Sequence, residues 1–507
     1  MAVALVHTAE PGVPKGSLVS VEADLSRGLH SFSIVGLAGK AIDEAKDRVN
    51  SAIKNSGFKA PKSHNQKIII SLSPADLKKD GPLYDLPIAI AFLSASGDIK
   101  IPTERKVGFL GELSLKGELR PVKGVLPAVL ALAESGFAEV IVPTQNAAEA
   151  ALVSNIKITP ASKLDDVINH LDESKETNAR LEAAPKTQIP DLWQENGVRL
   201  EDIRGQETAK RGLLIAAAGR HNVLMVGPPG TGKTMLAKTF QSLLPPLTRK
   251  EVLDVASIHS LVGELGENID SRPPFRAPHH TASHTSLVGG GQRPRPGEIT
   301  LAHKGVLFMD EFPEFNRQSL DALRQPLEDR MVSISRVQGS SIFPADFILI
   351  AAMNPYRGTE DGTTNYAAAM LDTYKQKVSG PILDRIDLWL EVPHVDYDTL
   401  TKDRPNVQDE TNLAREKIKV AREKARNRMK DRGKLSNAEM SSRDIEELIS
   451  LSKTVKELLR ASSSRLNLSP RAYHRVIKVA RTIADLEGAE NIETEHVLEA
   501  LQYRVKV

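Results

Sequence analysis

One short loop constrains the possible folds of this chain more than any other feature of its sequence. The loop follows the pattern G-x-x-x-x-G-K-[ST] and consists of Gly227, Pro228, Pro229, Gly230, Thr231, Gly232, Lys233 and Thr234. An apolar run typical of a strand, His221–Gly227, precedes it, and the stretch MLAKTFQSLL, typical of a helix, follows it. In such a unit the loop amides and the helix N-terminus point at phosphate oxygens. A chance match in a glycine-rich turn would lack the strand and the helix, so we predict a nucleotide site.

The last two residues of the loop predict its ligands. The ammonium of Lys233 would reach the β and γ phosphates of a nucleoside triphosphate. The hydroxyl of Thr234 would bind Mg²⁺. We therefore expect ATP and Mg²⁺ at this loop.

Two more apolar runs, Gly305–Glu311 and Phe347–Asn354, end in polar residues. Longer helical stretches alternate with them, which indicates a parallel sheet with its chemistry at the carboxyl ends of the strands. Asp310 suits Mg²⁺ binding, and Glu311 suits a general base that orients the attacking water. Without the phosphate loop upstream, an ordinary acidic strand end would be the simpler interpretation.

Asn354 ends the second of these runs, in AAMNP. An amide at this position can hold the attacking water or sense the γ-phosphate. The alternative is a turn asparagine in front of Pro355, because asparagine is common in turns.

Composition limits the remaining possibilities. A chain of 507 residues is long enough for about three domains. Lys and Arg number 67 and Asp and Glu 65, a net charge of +2, which excludes a polybasic protein but not a DNA-binding one. The lack of cysteine excludes disulfides, Cys-ligated zinc, iron–sulfur clusters and a thiol nucleophile. Aromatic residues are only 4% of the chain, which argues against binding by base stacking.

Neither a targeting segment nor a membrane span is predicted. The first residues, MAVALVHTAEPGVPKG, lack a basic segment followed by a long apolar stretch. The longest apolar stretch, residues 124–133, is too short to cross a bilayer. We therefore expect a cytoplasmic protein without a membrane partner.

The segment Asp172–Pro190 is polar, charged and flanked by proline, which is the composition of a linker. It separates a β-rich N-terminal region from the region that contains the phosphate loop. Before it, Lys67–Ser73 and Ala138–Pro143 are predicted strands and Val125–Gly136 is a predicted helix. From about Thr411 onward the sequence is typical of helices. The prediction is an α/β protein with an N-terminal domain (1–170), a linker (171–190), a phosphate-loop core (191–400) and a C-terminal helical lid (401–507).

Three polar strand ends after a phosphate loop resemble the AAA+ ATPases. The segments DIRGQETAKRGLLIAAAGRHNVLMVGPPGTGKT, RPPFRAPHHTASHTSLVGGG and GVLFMDE resemble the magnesium-chelatase-like branch more closely. Over nearly its whole length the chain resembles the bacterial YifB/ComM family, which has an extra domain before the motor. The resemblance implies an AAA+ parallel-sheet domain, a helical lid and assembly into a ring.

By the same resemblance, two arginines act on the nucleotide. Arg385, in SGPILDRIDL, would be an arginine finger for a neighbouring subunit, and Arg471, in NLSPRAYHRV, would be sensor 2 on the lid. A guanidinium suits both roles because it forks onto developing phosphate charge. The alternative for each is a structural salt bridge, and Asp384 and Asp387 flank Arg385. A finger that acts in trans requires assembly, most commonly a homo-hexamer.

The N-terminal region resembles the Lon-type protease domain, which has an S5-type α+β fold. In that family the nucleophilic serine lies in K-D-G-P-S-A-G, but here KDGP (79–82) is followed by Leu83. The position of the lysine base falls on Leu126, with Lys123 nearby. Serine–lysine hydrolysis needs a hydroxyl and a base in contact. Leu83 alone therefore excludes proteolysis at this site.

Positive charge is concentrated in an insert between the phosphate loop and the Asp310 strand. Residues 271–297 contain no acidic residue and four arginines, Arg272, Arg276, Arg293 and Arg295. Related motors direct such a loop toward the pore of the ring, so we predict contacts with DNA phosphates. A predicted hairpin, Val332–Ala345, adds Arg336 on its first arm, but its QGSS tip departs from the basic tip of related DNA motors.

Two further groups of residues leave alternatives open. Thr411–Gly433 has nine basic and three acidic residues, which fits either nucleic-acid contact or a solvated helix face. His279, His280 and His284 could suggest a metal site. The prolines and glycines around them and the lack of a carboxylate cluster favour ordinary histidines.

These patterns together predict an ATP-driven ring motor. It would bind single-stranded or branched DNA and drive helicase activity or branch migration in homologous recombination during natural transformation. The ATPase prediction rests on residues, whereas the DNA prediction rests mainly on the resemblance. The alternatives are a metal-chelatase-type motor subunit and a protein-remodelling ATPase.

Overall fold

The computed structural model describes residues 2–504 except 38, 64, 102–104, 173–179, 192, 194–196, 267–268, 292–294, 337–338, 355–377, 379, 397–408 and 467. The chain divides into two compact units. The first unit comprises Met1–Pro190 and Arg249–Asp270, and the second comprises Asp191–Thr248 and Ser271–Val507.

The first unit is built on a mixed sheet. Its strands are β1 (Ala2–Glu10), β2 (Ser17–Arg27), β3 (Ser31–Val35), β4 (Gln66–Ser73), β5 (Val107–Phe109), β6 (Glu112–Leu113), β7 (Leu119–Arg120), β8 (Glu139–Pro143) and β9 (Lys157–Ala161). Seven described strands form the sheet in the order β3-β4-β2-β1-β5-β8-β9, and β6 pairs with β7. The β1–β2 and β2–β4 pairs are antiparallel, and the other pairs in the sheet are parallel. The predicted strands at Lys67 and Ala138 are confirmed as β4 and β8.

Five described helices of the first unit come from its N-terminal part. They are α1 (Lys40–Asn55), α2 (Asp85–Ser96), α3 (Val125–Glu134), α4 (Ala147–Ala150) and α5 (Leu164–Leu171). Helix α1 is amphipathic and buries Ile42, Val49 and Ile53 on one face. Helix α2 is apolar on all sides, and most of its residues lie in the core. Helix α3 confirms the helix predicted from Val125.

Part of the predicted linker, 171–190, packs on the first unit. The amide of Ala184 donates to the carbonyl of Ile158 in β9 at 2.8 Å. The amide of Thr187 donates to the carbonyl of Ala151 at 3.2 Å. These bonds hold the end of the stretch beside β9, and its residues 173–179 lie outside the described part of the chain.

The second unit contains the predicted parallel sheet. Its strands are β10 (Val223–Val226), β11 (Phe275–Arg276), β12 (Gly289–Gly290), β13 (Arg295–Pro296), β14 (Val306–Met309), β15 (Met331–Arg336), β16 (Gly339–Pro344), β17 (Ile348–Met353) and β18 (Leu388–Glu391). Five of the described strands form a sheet in the order β11-β14-β17-β10-β18, with every pair parallel. The β12–β13 and β15–β16 pairs are antiparallel, and the second pair confirms the predicted hairpin.

Helix α8 is encoded between elements of the second unit but belongs to the first. It follows α6 (Glu207–Gly219) and α7 (Lys233–Leu243) and covers Arg249–Val262. Its Ser260 carbonyl accepts from the amide of Gly124 at 3.0 Å, and its Ala256 lies in the hydrophobic core of the first unit. The sequence-based boundaries placed this segment inside the core domain, 191–400. The amphipathic pattern of α8 predicts a buried face but does not specify which of the two cores buries it.

The remaining helices among the described residues belong to the second unit. They are α9 (His284–Val288), α10 (Glu298–Leu301), α11 (Arg317–Asp321), α12 (Arg324–Asp329), α13 (Gly380–Leu383), α14 (Glu410–Arg428), α15 (Ser442–Leu448), α16 (Lys453–Arg465), α17 (Pro470–Leu486) and α18 (Thr494–Gln502). The region after Thr411 is helical, as predicted. Among the described residues, no helix combines the length and the apolar character that a bilayer crossing needs.

Candidate nucleotide-binding site

The phosphate loop joins β10 to α7. Gly230 and Gly232 have φ angles of +80° and +90°, in the left-handed region that favours glycine. A Cβ on Gly227 would lie 2.1 Å from the carbonyl oxygen of Val392, so this position has no room for a side chain. Because α7 begins at Lys233, its unpaired N-terminal amides lie at the end of the loop.

Lys233 folds back over the loop. Its Nζ lies 2.7 Å from the carbonyl oxygens of both Gly227 and Pro228, and its side chain is buried. Burial lowers the pKa of Lys233, and the charge of Asp310 acts in the opposite direction. Thr231 also closes on the loop, since its hydroxyl donates to the Pro228 carbonyl at 2.9 Å. The cation therefore has neutral carbonyl partners that a charged phosphate oxygen can replace.

Thr234 and Asp310 come together from different elements. Thr234 lies in the first turn of α7, and Asp310 follows β14. The hydroxyl of Thr234 donates to Oδ2 of Asp310 at 3.0 Å. Hydroxyl and carboxylate oxygens are the donors that Mg²⁺ prefers in proteins. The two residues predicted to bind the metal thus form one oxygen-donor pair that fits it.

Glu311 occupies a strained backbone position beside this pair. Its φ is +50°, in the left-handed region, which costs a non-glycine residue about 1 kcal/mol. Its amide donates to Oδ1 of Asp310 at 2.9 Å. The side chain is 49% exposed, so its carboxylate is open to solvent. Strain of this kind is concentrated at functional sites in proteins.

A histidine that the sequence does not connect with this site contacts Glu311. Nδ1 of His280 lies 2.9 Å from Oε2 of Glu311. Within the described ranges, no group of three or more potential ligands is arranged to hold a metal ion. The histidine pair after β11 is visible in the sequence. Its contact with Glu311 could not be predicted, because the two segments are far apart along the chain.

Asn354 lies at the strand end that borders the phosphate loop. It directly follows β17, which pairs with β10 so that Val226 is opposite Met353. The amide of Gly227 donates to the carbonyl of Met353 at 3.3 Å. Asn354 itself is exposed. Pro355, on which the turn interpretation depends, lies outside the described residues.

Arg385 and Arg471 meet at one carboxylate, that of Glu328. Nη2 of Arg385 lies 2.5 Å from Oε1 of Glu328, and Nη2 of Arg471 lies 3.7 Å from the same oxygen. The hydrogen bond from Arg385 lowers the pKa of Glu328, and the charges of Arg385, Arg471 and Arg475 add to this effect. No pattern in the sequence pointed to Glu328, which lies in α12, far along the chain from both arginines.

Arg385 is buried and Arg471 is largely exposed. Nε of Arg385 has no hydrogen-bond partner among the described residues. The flanking Asp387 pairs instead with Arg475, at 3.4 Å. The salt bridge considered as the alternative role is therefore present, but Glu328 forms it.

Arg385 also lines a cavity of about 460 Å³ in the second unit. Basic side chains dominate its charged lining, namely Arg220, Arg330, Arg385, Lys434, Arg475 and Lys478. The acidic lining residues are Glu328, Asp387 and Glu439. This excess of positive charge suits an anionic group close to Arg385.

Three stretches of the chain match known families. Residues 199–400 match the family described as magnesium chelatase, subunit ChlI, residues 21–146 match subunit ChlI of Mg-chelatase, and residues 408–504 match the ChlI C-terminal family. The full chain is 44% identical to the competence protein ComM of Haemophilus influenzae over 515 residues, which covers 100% of this chain and 98% of that protein. The chain belongs to the ComM/YifB family.

Other comparisons agree with this membership. The uncharacterized protein YifB of Salmonella typhimurium is 40% identical, with 99% of this chain and 97% of that protein covered. The magnesium-chelatase-type AAA+ domain and the helical C-terminal region confirm the predicted fold class. A Lon protease of Azorhizobium caulinodans is 27% identical over 164 residues, covering 31% of this chain and 19% of that protein, which confirms the N-terminal resemblance. ATPases of the magnesium-chelatase type use nucleotide and Mg²⁺ in general.

In this member of the ComM/YifB family, the positions that the resemblance to Lon assigns to the catalytic serine and lysine are apolar. Leu83 and Leu126 are both buried in the hydrophobic core of the first unit. The nearby Lys123 donates to the carbonyl of Val262 in α8 at 2.7 Å. Neither Leu83 nor Leu126 offers the hydroxyl or the amine that serine–lysine hydrolysis needs.

The arginines predicted to contact DNA differ in their surroundings. Arg276 forks onto Glu298 with distances of 2.6 and 2.8 Å, so it stabilises the insert. Arg272 is partly buried, whereas Arg295 is exposed on β13. Arg293 lies outside the described residues. Arg336 ends β15 opposite Gly339, and its side chain is not described.

Five of the nine basic side chains of the segment Thr411–Gly433 form hydrogen bonds within the second unit. Arg422 donates twice to the carbonyl of Ala217, at 3.0 and 2.7 Å. Other basic side chains of the segment also have internal partners, namely Arg415 with Ser242, Lys424 with Gly488, Arg428 with Asp485 and Arg432 with Glu447. Lys417, Lys419, Arg426 and Lys430 are exposed. The charge count of the segment therefore overstates the charge it offers to a nucleic acid.

Proposed function

We propose that this chain hydrolyses ATP at the phosphate loop of its second unit. The observation that carries the proposal is the 3.0 Å hydrogen bond between the Thr234 hydroxyl and the Asp310 carboxylate, formed in the first turn of α7 next to Lys233. Thr234 and Asp310 would hold Mg²⁺, which when bound neutralises phosphate charge. Lys233 would bind the β and γ phosphates.

The proposed reaction is in-line attack of water on the γ-phosphorus. Glu311 orients the water and accepts its proton, while the bond from the γ-phosphorus to the bridging oxygen breaks and ADP leaves. Asn354, at the neighbouring strand end, supplies a second polar group for the water or the γ-phosphate. The half-exposed carboxylate of Glu311 is consistent with access for water.

The arrangement around Glu328 supports a site shared between copies of the chain. Because Arg385 and Arg471 contact the same carboxylate oxygen, an anion that replaced Glu328 would meet both guanidinium groups. The γ-phosphate bound to a neighbouring copy is such an anion. We therefore propose a homo-oligomeric ring, most simply a hexamer, in which both arginines stabilise the charge that develops during hydrolysis.

The proposed substrate of the motor is DNA. The Haemophilus relative is named a competence protein, which supports a role with incoming DNA. Arg295, exposed on the β12–β13 hairpin, supports a contact with phosphate oxygens, and we place Arg293 and Arg336 in the same role. ATP hydrolysis would drive helicase activity or branch migration on single-stranded or branched DNA during homologous recombination in natural transformation.

The test of this function is the ATPase rate of the full chain with single-stranded DNA, forked DNA or no DNA. We expect DNA to raise the rate and to bind with an affinity that falls as salt rises. Lys233→Ala should abolish hydrolysis and keep DNA binding. Arg295→Ala should weaken DNA binding and reduce its salt dependence, whereas Arg460→Ala, an exposed arginine on α16, should not.

No stimulation together with no salt-sensitive binding would refute the DNA motor. If DNA does stimulate hydrolysis, strand displacement on three-way and four-way junctions distinguishes branch migration from translocation along one strand. Branch migration requires ATP-dependent conversion of the junction, which Lys233→Ala should lack.

A chelatase-type motor is the second candidate function, because three stretches of the chain match ChlI families. Such a motor would promote insertion of Mg²⁺ into a porphyrin through a partner subunit. Its ATPase rate would not respond to DNA. An ATPase rate that is the same with and without DNA would favour this candidate or a protein-remodelling ATPase.

A further inference from the structure

Asn222 joins the starts of three neighbouring strands in the second unit. It directly precedes β10, which lies between β17 and β18 in the parallel sheet. Its Oδ1 accepts from the amide of Leu349 in β17 at 2.9 Å. Its backbone carbonyl accepts from the amides of Asp387 and Leu388, where β18 begins, at 3.0 and 3.1 Å. Asn222 is therefore fixed against both strands that flank β10.

The same residue holds the backbone of Arg385. Nδ2 of Asn222 donates to the carbonyl of Arg385 at 3.1 Å, and the backbone amide of Asn222 donates to Oδ2 of Asp387 at 3.1 Å. Leu349 offers the side-chain amide a donor and Arg385 offers it an acceptor, so only one orientation of this amide satisfies both. The Asn222 side chain thus ties Arg385 to a central strand of the sheet.

The lid holds the residues that follow Arg385. Nη1 of Arg475 and Nη1 of Arg504 donate to the carbonyl of Ile386 at 3.3 and 3.1 Å. Nε of Arg475 also lies 3.4 Å from Oδ1 of Asp387. These bonds fix the segment after Arg385, and the bond from Asn222 fixes Arg385 itself.

Arg385 lies at the opposite edge of the sheet from its own phosphate loop. The strands β17, β10 and β18 are aligned so that Val223 is opposite both Ile350 and Leu388. Asn222 precedes β10 at this edge, whereas the phosphate loop follows the carboxyl end of β10. β10 has four residues, so the two edges are about 13 Å apart. This separation supports action of Arg385 on the nucleotide of another copy of the chain.

We infer that Asn222 is a positioning residue for the arginine finger, an inference that rests on the shared site proposed above. Its Nδ2 fixes the backbone of Arg385 against β10 and β17, which sets where the guanidinium meets the phosphate of a neighbouring copy. Asn222 acts only through Arg385, so it leaves ATP binding at the phosphate loop of its own chain unchanged. Small errors in the position of a reacting group lower rates by large factors.

The first test compares Asn222→Asp with Arg385→Ala in the full chain, with kcat and KM measured for ATP. The aspartate keeps an oxygen for the Leu349 amide but has no hydrogen to donate to the Arg385 carbonyl. We expect kcat to fall about tenfold or more in both variants, with KM within about twofold. Asn222→Ala, which adds no charge, should act in the same direction. Asn427→Asp, at an exposed position of α14, is the matched control and should leave kcat unchanged.

A second test mixes two defective chains in one ring and distinguishes positioning from a general loss of structure. A Lys233→Ala chain has a defective site but an intact Arg385, whereas an Asn222→Asp chain has an intact site and a misplaced Arg385. An interface that joins the site of the second chain to the arginine of the first is complete. We expect the mixture to hydrolyse ATP at least about twofold faster than either chain alone at the same total concentration. A chain that misfolds or fails to assemble gains nothing from the mixture.

Mixing Lys233→Ala with Arg385→Ala separates the two levels of the proposal. If these two chains do not complement each other, the proposed shared site fails. If they do, three results would each overturn the positioning role: Asn222→Asp keeps its kcat when alone, its KM rises as much as its kcat falls, or Lys233→Ala does not restore its activity. Lys233→Ala mixed with Glu311→Gln should stay inactive, because neither chain has a working site.

Discussion

The two units each bury a lysine between a strand and a helix, with opposite consequences. Lys79 lies between β4 and α2, has no exposed surface, and donates to the carbonyls of Leu72 and Gly36 at 3.0 and 3.3 Å and to that of Pro74. Lys233 lies between β10 and α7 and also donates to backbone carbonyls. Burial lowers the pKa of both lysines. A buried lysine on carbonyl oxygens is therefore not by itself a sign of catalysis.

The difference lies in what surrounds each lysine. Leu83 follows the KDGP stretch and is buried in an apolar core. Thr234 follows Lys233, is exposed, and meets Asp310, with Glu311 next to it. A functional site needs polar groups from several elements that converge at accessible positions, and only the loop of the second unit has them among the described residues.

The largest expected effect is that of Lys233→Ala. The substitution removes the cation that faces the β and γ phosphates, so we expect kcat to fall at least about 100-fold. A steady-state ATPase assay measures the loss. Lys238→Ala, on the exposed side of α7, is the matched control and should stay within about twofold. Equal rates for the two variants would contradict the assignment of the site.

Lys79→Met should affect stability instead of catalysis. Three carbonyls lose their ammonium partner, which destabilises the first unit by about 2 to 4 kcal/mol. Hydrogen exchange of the full chain should show lost protection in β4 and α2, while ATPase kcat changes by less than about threefold. A kcat as low as that of Lys233→Ala would mean that the first unit takes part in hydrolysis.

Substitutions in α14 should have smaller effects, and they distinguish basic side chains that bond within the second unit from basic side chains that are exposed. Arg422→Ala removes two hydrogen bonds to the Ala217 carbonyl and should destabilise the second unit by about 1 to 3 kcal/mol. Lys419→Ala, at an exposed position of the same helix, should change stability by less than about 0.5 kcal/mol. Denaturant unfolding measures both, and equal effects would show that α14 is a solvated basic surface throughout.

The smallest predicted difference is in acid stability. Burial would raise the pKa of Glu139, but hydrogen bonds from His170, Thr159 and Lys157 hold it below its usual range. The folded pKa lies below the unfolded value, so Glu139 stabilises the first unit above about pH 4.5 and this stabilisation is lost as the pH falls. Glu139→Gln should flatten the acid dependence of hydrogen exchange in the first unit and leave the second unit unchanged. An unchanged pH profile in both units would contradict the prediction.

Much of the fold could be predicted because its signals are local. The strands that end at Met309 and Met353 are short apolar runs, and the phosphate loop marks the turn between β10 and α7. Residues 249–270 could not be placed, because an amphipathic helix does not specify which core it joins. Helix α8 therefore belongs to the first unit although its neighbours in sequence form the second.

At the candidate site, too, local sequence patterns predicted only part of what the structure shows. The motif and the strand ends predicted the cluster of Lys233, Thr234 and Asp310, whose contacts follow from the strand order. The contacts of His280 with Glu311 and of Glu328 with two arginines join side chains far apart in the sequence, which no local pattern encodes. Charge counts overestimated the basic surface of α14, because they do not show which cations bind carbonyls and carboxylates of the same unit.

If the cluster around Asp310 hydrolyses ATP, a chain with Glu311→Gln must bind the nucleotide without turning it over. We predict that ATP hydrolysis in the presence of Mg²⁺ falls at least about 100-fold in this variant, while its affinity for ATP stays within about threefold. Turnover close to that of the unchanged chain, with normal ATP binding, would contradict the proposed role of Glu311 and the hydrolysis site built around it.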